Sequence, residues 1–390
     1  MFPYGEKVGD ESMQIIPVAS GKGGVGKSLV SANLAIALGK AGKNVVLADL
    51  DIGASNLHLS LGQNVAKVGF GSFLNGTSKF EDIIIDTGFR NVRFIAGDSE
   101  IPGLTAIQYA KRMSLIRKLQ NIQADYLILD LGAGTHLPIL DMFLLSPQGI
   151  LVTAPTVTAT LNAYLFIKNA VFRLLYNSFP KKSVGYKFLE SLKGKQAEVA
   201  QMHIPEIVRN LSKIDYQNTE VFVNYMKMFR PRLIMNMIED PKSADRAYKI
   251  RQSCQEYLNL DLDYLGVIFR DPMQDVALSS RLPITLYKPQ SILSQSMFRI
   301  ADKIIQAKEV SFNNNGSFNN DGFEQMEEDA ESDYGAKMSY IEDLVGSGTL
   351  TTSDLADLIK TQQYEITQLK NSNNLLKSKL VKASQQGFKV

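Results

Sequence analysis

Eight consecutive residues near the start of the chain have types and spacing that could hold a phosphate group. They are Gly21, Lys22, Gly23, Gly24, Val25, Gly26, Lys27 and Ser28. Glycines let a loop wrap around a phosphate chain at torsion angles that a side chain would forbid, and the loop N–H groups then face the phosphate oxygens. Lys27 would contact the β- and γ-phosphates, and the Ser28 hydroxyl would complete a Mg²⁺ shell. The alternative is a glycine-rich turn that binds nothing.

The elements around this loop favour a binding site. An apolar run from Ile15 to Ala19 precedes the loop, and a helix-like stretch from Leu29 to Leu38 follows it. Strand, glycine loop and helix in this order form the context in which such a motif binds phosphate. Further apolar strands alternate with helical stretches along the chain, which predicts an α/β fold with a doubly wound, mostly parallel sheet.

Three aspartates come at the ends of two further predicted strands. Asp49 and Asp51 follow the apolar run from Asn44 to Ala48, and Asp130 ends the run that begins at Tyr126. Ligands bind at the carboxyl ends of parallel strands, so these carboxylates are expected near the glycine loop. Asp130 has the position of a carboxylate that lies near Mg²⁺. Without the glycine loop, Asp49 and Asp51 would indicate an ordinary acidic turn at the end of a strand. Because the glycine loop lies upstream, a functional role for the two carboxylates is favoured instead.

Lys22 carries information beyond phosphate binding, because a charge at the start of such a loop has no structural need. The run from Lys22 to Ser28 resembles the deviant Walker A loop of the MinD/ParA group of ATPases. The resemblance covers about residues 13–307. It implies that Lys22 is the signature lysine, which reaches the nucleotide of the partner subunit in an ATP-bound dimer. A lysine that is simply solvated is the alternative.

The resemblance also implies roles for other residues. The segment from Asp49 to Leu57 is similar to switch I of the family, in which Asp51 would position or activate the attacking water and Asp49 would help to hold the Mg²⁺ shell. The implied catalytic set is Lys22, Lys27 and Asp51, and the implied metal set is Ser28, Asp49 and Asp130. The segment after Asp130 is similar to switch II, in which the Gly134 N–H would sense the γ-phosphate.

Two more positions match parts of the family that bind the base. Asn236 matches the asparagine that recognises adenine, and Asp271 matches the loop that borders the base, although Phe269 replaces the usual proline there. Gly132 stands where MinD usually has proline, which is closer to the flagellar-placement branch, the FlhG (FleN, YlxH) proteins. Residues 1–12 lack the short activating helix with which FlhG proteins often begin.

Composition limits the function classes. Lys and Arg number 42 and Asp and Glu number 40, so the overall charge gives no argument for binding nucleic acid or membrane. Cys254 is the only cysteine, which excludes an intramolecular disulfide and the carriers that bridge a metal cluster with paired cysteines. The polar N-terminus is not a signal peptide. We therefore expect a cytoplasmic protein, with peripheral attachment at the inner face of the membrane as an option.

The chain is expected to have three parts. An ATPase domain spans residues 13–307, with a helical, lysine-rich insertion at about 177–230 that is either solvated or a contact surface for DNA, acidic lipid or a protein partner. An Asn-rich and acidic stretch at 308–350 reads as a disordered linker. Apolar residues at a 4-3 spacing in 351–385 predict a coiled-coil-like helix that binds a partner, a membrane or its own domain.

The expected function is an ATP- and Mg²⁺-dependent switch that dimerises, hydrolyses ATP slowly and acts as a spatial regulator of flagellar number or placement, or of cell division, together with a protein partner. A ParA-type partition ATPase that binds DNA without sequence preference is the alternative with the same chemistry. An ATP-dependent ligase or a tyrosine autokinase could share the fold. The autokinase is disfavoured because residues 385–390 contain no tyrosine.

Overall fold

The computed structural model describes residues 13–51, 56–64, 68–97, 109–193, 203–311 and 321–346, with five further single residues (360, 363, 367, 376 and 377). The chain divides into two compact units, Met1–Asp333 and Tyr334–Val390. The first contains the sheet and all the motifs above. Apart from those five residues, the coiled-coil-like helix predicted for 351–385 lies outside the described residues.

An eight-stranded sheet forms the centre of the first unit, in the order β3-β4-β2-β5-β1-β6-β7-β8. Seven strands are parallel, and only β3 runs antiparallel to its neighbour β4. The strands are Gln14–Ala19 (β1), Val45–Leu50 (β2), Ile84–Asp86 (β3), Val92–Ile95 (β4), Tyr126–Leu131 (β5), Ile150–Thr153 (β6), Arg232–Ile238 (β7) and Asp263–Phe269 (β8). This confirms the predicted mostly parallel sheet, to which the structure adds the short edge strand β3.

Helices cover both faces of the sheet. In the first unit's described residues they are Lys27–Lys40 (α1), Leu57–Ser60 (α2), Phe70–Leu74 (α3), Tyr109–Leu119 (α4), Leu137–Phe143 (α5), Val157–Ser178 (α6), Val184–Lys193 (α7), Ile204–Ile214 (α8), Tyr216–Met228 (α9), Asp245–Leu258 (α10), Met273–Ser279 (α11), Ile284–Tyr287 (α12) and Ile292–Ser311 (α13). A last helix, Asp321–Gly346 (α14), begins in this unit and continues into the second.

Two hydrophobic clusters lie on opposite faces of the sheet. Alternate residues of a strand point to opposite faces, and accordingly Ile15 and Ala19 belong to one cluster while Ile16 and Val18 belong to the other. Because β1 is buried on both faces, its sequence is a continuous apolar run rather than an alternating one. The doubly wound arrangement places the end of β1 next to those of β5 and β6.

The region expected as a helical insertion packs on the main core. Helix α6 continues to Ser178, and α7, α8 and α9 follow it. Apolar side chains on these three helices join the larger of the two clusters: Leu189, Leu192, Ile204, Ile207, Leu211 and Phe222. Lys181, Lys182 and Lys187 are exposed to solvent.

Part of the stretch at residues 308–350 differs from the sequence interpretation. The stretch was expected to be a disordered linker, but in its described residues α13 extends to Ser311 and residues 321–346 are helical. Met326 and Ala330, one turn apart, are buried in the main core. The acidic composition of this stretch gave no indication that these two residues are buried. Two of its acidic residues form ion pairs with α13. These pairs join Lys303 to Asp329 at 2.9 Å and Arg299 to Asp333 at 2.5 Å.

One basic residue of α4 is buried. Arg112 is almost inaccessible to solvent, and its Nη2 lies 3.3 Å from Oδ2 of Asp141 on α5. Arg173 on α6 makes a two-pronged contact with the same carboxylate, at 2.6 and 3.1 Å. A buried aspartate thus joins three helices.

In the described parts of the chain, none of the helices has the length and apolar character needed to span a bilayer.

Candidate nucleotide-binding site

The glycine loop connects β1 to α1 and has the backbone shape that its sequence predicts. Gly24 and Gly26 adopt positive φ angles of 79° and 85°, which side-chain-bearing residues rarely adopt. Gly26 caps α1, and the first turn of that helix contains no acidic residue. The unpaired N–H groups and the positive end of α1 therefore face the loop, where they can bind an anion.

Lys27 and Asp130 form a buried ion pair beneath the loop. The Nζ atom of Lys27 lies 2.8 Å from Oδ1 of Asp130, with 7% and 1% of the two side chains exposed. Ser31, one turn further along α1, also donates to this Oδ1 at 2.8 Å. Lys27 and Ser31, both on α1, therefore contact the same carboxylate oxygen of Asp130 at the end of β5.

The other oxygen of Asp130 suits a metal shell. Oδ2 is buried and has no hydrogen-bond partner among the residues that the structure describes. Buried carboxylate oxygens are normally paired, so this atom can accept from a water bound to Mg²⁺, as the predicted role requires. The hydroxyl of Ser28, 3.4 Å from Nζ of Lys27, lies on the same side of the loop. A hydroxyl and a carboxylate are the hard oxygen ligands that Mg²⁺ prefers.

Asp49 and Asp51 lie at the end of β2 with different surroundings. Asp49 is fully buried beside Asp130 in the sheet register, and its two oxygens accept the N–H groups of Asp51 at 3.0 Å and Leu57 at 3.3 Å. It thereby holds both ends of the switch I segment, of which residues 52–55 lie outside the described residues. Its role at the metal stays a prediction.

Asp51 is half-buried and faces the ion pair. Burial raises the pKa of its carboxyl, Lys27 opposes this, and Asp130 adds to it. A carboxylate with a raised pKa is a better proton acceptor at neutral pH than a fully solvated one. Gly132 lies against it: a Cβ at this glycine would approach Oδ1 of Asp51 to 3.1 Å. The segment that is similar to switch II therefore lies next to Asp51, the predicted water-activating residue.

Gly134 has an unexpected partner. Its φ is 102°, and its N–H donates to the backbone carbonyl of Ser20 at 3.1 Å. Ser20 is buried and directly precedes the glycine loop. In this conformation the N–H cannot also bind a γ-phosphate, so the predicted sensing role requires this bond to break.

Asn236 on β7 forms a hydrogen bond to the backbone of the glycine loop. Its Nδ2 donates to the carbonyl of Val25 at 2.8 Å, and a Cβ at Gly26 would clash with this amide group. The next residue, Met237, has a φ of 60° at an irregularity in the pairing of β7 with β8. The adenine-binding role of Asn236 stays a prediction. So does that of Asp271, whose Oδ1 accepts the N–H of Met273 at the start of α11.

Lys22 is exposed and is directed toward α6 rather than toward its own loop. Its Nζ donates to Oγ1 of Thr158 at 3.0 Å. Gly21 lies so close to the same helix that a Cβ there would clash with the carbonyl of Asn162. The first half of the loop therefore packs on α6.

Most of the residues predicted for the site lie close together, but two residues of the site were not predicted. The carboxyl ends of the strands bring together five predicted residues: Lys27, Asp51, Asp130, Gly134 and Asn236. Ser31 was missed, although its position four residues after Lys27 puts both on one face of a helix. Thr158 was missed because no local pattern connects it to a lysine 136 positions earlier.

Comparisons with known proteins agree with this site. The family model described as the CobQ/CobB/MinD/ParA nucleotide binding domain matches residues 16–284. A putative septum site-determining protein MinD from Oltmannsiellopsis viridis is 34% identical over 151 residues, which cover 38% of this chain and 47% of the relative. The antiactivator FleN from Pseudomonas aeruginosa is 31% identical over 160 residues, covering 40% and 56%. The chain thus spans about half the length of these two relatives.

A longer match is the flagellum site-determining protein YlxH from Helicobacter pylori, 27% identical over 305 residues that cover 76% of this chain and 83% of the relative. Among solved structures, the MinC:MinD cell division complex from Aquifex aeolicus has a TM-score of 0.51 and 20% identity, covering 75% of this chain and 96% of that one.

A ParA family ATPase from Chlorobium tepidum also has a TM-score of 0.51, with 16% identity and coverage of 74% and 99%. At these identities the two structures support the fold alone. The family model, in contrast, matches more than half of the chain and includes the glycine loop, Asp51 and Asp130. The chain therefore belongs to the CobQ/CobB/MinD/ParA family of nucleotide-binding proteins.

Proposed function

We propose that this chain is an ATP-dependent switch that dimerises when it binds ATP with Mg²⁺, hydrolyses the nucleotide slowly, and regulates the position or number of flagella through a protein partner. The observation that carries the proposal is the combination of two lysines. Lys27 is buried against Asp130 beneath the loop, whereas Lys22 is exposed and points away from the loop. Lys27 would bind the nucleotide of its own subunit after leaving Asp130, and Lys22 would reach a second subunit after leaving Thr158.

The residues divide the chemistry as follows. The loop N–H groups and Lys27 bind the phosphates, which requires Lys27 to leave Asp130. Ser28 and Asp130 would hold Mg²⁺, which would supply positive charge next to the phosphate oxygens. Asp51 orients the attacking water and accepts its proton, a role that its raised pKa supports.

The surface of α6 supports dimerisation next to Lys22. Val157, Leu161 and Leu165 lie four residues apart and are exposed by 67%, 56% and 37%. Residues at this spacing share one helix face, and Thr158, which holds Lys22, lies in the same turn as Val157. An exposed apolar stripe of this kind is typical of an interaction surface. Lys22 would leave Thr158 as the two subunits close on each other.

A flagellar setting rests on the relatives. The match to the Helicobacter pylori flagellum site-determining protein covers most of both chains. The antiactivator FleN is a second similar protein, and its name is one of those of the flagellar-placement branch that the sequence resembles. Gly132, in place of proline, agrees with that branch. Regulation of the division site is the neighbouring possibility, since MinD proteins are also similar to this chain.

Size-exclusion chromatography with and without Mg-ATP tests the switch. Asp51→Ala should block hydrolysis and therefore accumulate an ATP-dependent dimer. Adding Lys22→Ala should abolish this shift, while Lys249→Ala, at an exposed lysine on α10, should leave it intact. A protein whose size does not respond to ATP, or that does not bind ATP, would contradict the proposal.

The exposed lysines of the insertion favour one alternative. Lys181, Lys182 and Lys187 lie close together in sequence and are exposed, so a ParA-type ATPase that binds DNA without sequence preference is the second candidate. Binding through phosphates weakens steeply as salt rises. Titration of the Asp51→Ala dimer with random duplex at two salt concentrations separates the candidates: binding that is lost at high salt favours partition, and its absence at low salt favours the flagellar setting.

A further inference from the structure

Ser31 is a buried hydroxyl group that no motif includes. It lies on the second turn of α1, is fully inaccessible to solvent, and lies 2.8 Å from Oδ1 of Asp130 and 3.1 Å from the carbonyl oxygen of Lys27. A hydroxyl has one proton, so it can donate to only one of these acceptors at a time. The carboxylate is nearer and charged, and hydrogen bonds to charged groups are the stronger ones. Ser31 therefore donates its hydrogen bond to the carboxylate of Asp130.

The two partners of Oδ1 differ in what nucleotide binding does to them. Lys27 reaches this oxygen through a flexible side chain and must leave it to contact the phosphates. Ser31 has a single side-chain torsion and sits in the packed middle of α1, so it cannot follow. When Lys27 leaves, Ser31 becomes the remaining donor of the pair, at the time when Oδ2 is needed by the metal shell.

We infer that Ser31 is a positioning residue for Mg²⁺: by holding Oδ1 of Asp130 in both states, it keeps Oδ2 directed at the metal site. The inference rests on the proposed function, because it assigns Ser31 a part in the same nucleotide site. Groups that orient a metal-binding carboxylate typically change metal affinity 10- to 100-fold when they are removed. The structure supplies the geometry for such a role: Ser31 lies 2.8 Å from Oδ1, and Oδ2 has no hydrogen-bond partner within the described part of the chain.

Calorimetric titration of the full chain with ADP tests this role, in EDTA and at a series of Mg²⁺ concentrations. In Ser31→Ala, the Mg²⁺ concentration that gives half of the metal-dependent gain in ADP affinity should rise about 10-fold. The affinity in EDTA should change less than about twofold, since no metal is then involved. Ser31→Thr, which keeps the hydroxyl, should restore the parent value.

The chain offers a matched control. Ser296 on α13 is equally buried and has the same two kinds of acceptor: the carbonyl oxygen of Ile292 one turn earlier lies at 2.9 Å, and Oδ2 of Asp333 lies at 3.0 Å. Its local chemistry is that of Ser31, but it lies outside the nucleotide site. Ser296→Ala should therefore lower the thermal midpoint without changing the Mg²⁺ dependence.

Three results would overturn the inference. They are an unchanged Mg²⁺ dependence in Ser31→Ala, an equal loss of ADP affinity with and without Mg²⁺, and the same Mg²⁺ shift in Ser296→Ala. If Ser31→Ala does not fold, Ser31→Cys has nearly the original volume and a much weaker donor, so it should show the same Mg²⁺ shift. A parent protein that binds no ADP at any Mg²⁺ concentration would overturn the proposed function together with this inference, which distinguishes the two failures.

Discussion

The ammonium group of Lys27 lies 2.8 Å from the carboxylate of Asp130, and both side chains are almost completely buried. Each group is the counter-charge of the other in the protein without nucleotide. Removing both charges from water is costly unless they remain paired. The residues that would bind phosphate and metal therefore stabilise each other until the ligands separate them.

A double-mutant cycle measures this pairing. Lys27→Met or Asp130→Asn alone should each lower the free energy of unfolding by about 3 kcal/mol, since each leaves a buried polar or charged partner unsatisfied. The combined variant should lose clearly less than the sum, which is the signature of direct coupling. Urea unfolding without nucleotide provides the measurement. Additive losses would show that the ion pair does not form in solution.

Gly26 should tolerate no side chain. Its φ is positive and a Cβ would displace the Asn236 amide from the carbonyl of Val25. Gly26→Ala should therefore weaken ADP binding at least about tenfold, the effect of losing roughly 1.4 kcal/mol.

Gly23→Ala is the matched control for that variant, because a Cβ at Gly23 meets no atom within 4 Å and no positive φ is required there. It should bind ADP within about threefold of the parent, or about 0.6 kcal/mol. Equal effects of the two substitutions in calorimetric titration would contradict the steric explanation.

The buried Asp141 should matter far more for stability than an exposed acid in an ion pair. Asp141→Asn removes the buried charge that Arg112 and Arg173 share between α4, α5 and α6, so we expect a loss of about 3 kcal/mol. Glu81→Gln breaks the exposed pair with Lys118 and should cost far less, because solvent screens such a pair. Chemical unfolding of the two variants side by side tests this contrast, and losses of equal size would contradict it.

Asp215 should give the insertion a pH-dependent contribution to stability. Burial opposes its ionisation, but hydrogen bonds from Asn218, from the N–H of Gly185 and from Ser183 outweigh this and lower its pKa below the ordinary value of 3.8. A lowered folded-state pKa stabilises the fold above the unfolded-state value, and the stabilisation is lost as pH falls through the folded-state value.

Asp215→Ala should therefore cost about 1–2 kcal/mol at neutral pH, as for a lost capping residue. The difference from the parent should shrink below about pH 3.8. Glu220→Ala, at an exposed acid on α9, should change stability by less than about 0.5 kcal/mol at neutral pH. Denaturant unfolding from pH 3 to pH 7 provides the test, and a difference that grows as pH falls would contradict it.

Local patterns were sufficient for much of the fold. Apolar runs bounded by glycine or acidic residues predicted strands β1, β2 and β5 to within two residues, because a doubly buried strand has few alternatives for its apolar side chains. Strand β3 escaped notice, since it has three residues and lies at an edge where no continuous apolar run is needed.

The acidic stretch shows why composition misled elsewhere. Charge and asparagine content suggested disorder at 308–350, and neither reports that Met326 and Ala330 face a core formed by distant strands. The burial of Arg112 has a similar cause, because its partner, Asp141, lies on another helix. Tertiary partners decide the state of a charged residue, and a local window contains none of them.

The sequence by itself determined the glycine loop, its helix and the strand-end carboxylates, because these depend on backbone torsion and on neighbours within one βα unit. Only the tertiary structure decided how the side chains are used: Ser31 on Asp130, Asn236 on Val25, and Lys22 on Thr158. These contacts join residues about 100 to more than 200 positions apart. Hydrogen bonds depend on distances of a few tenths of an ångström, which packing of the whole sheet sets and sequence spacing does not record.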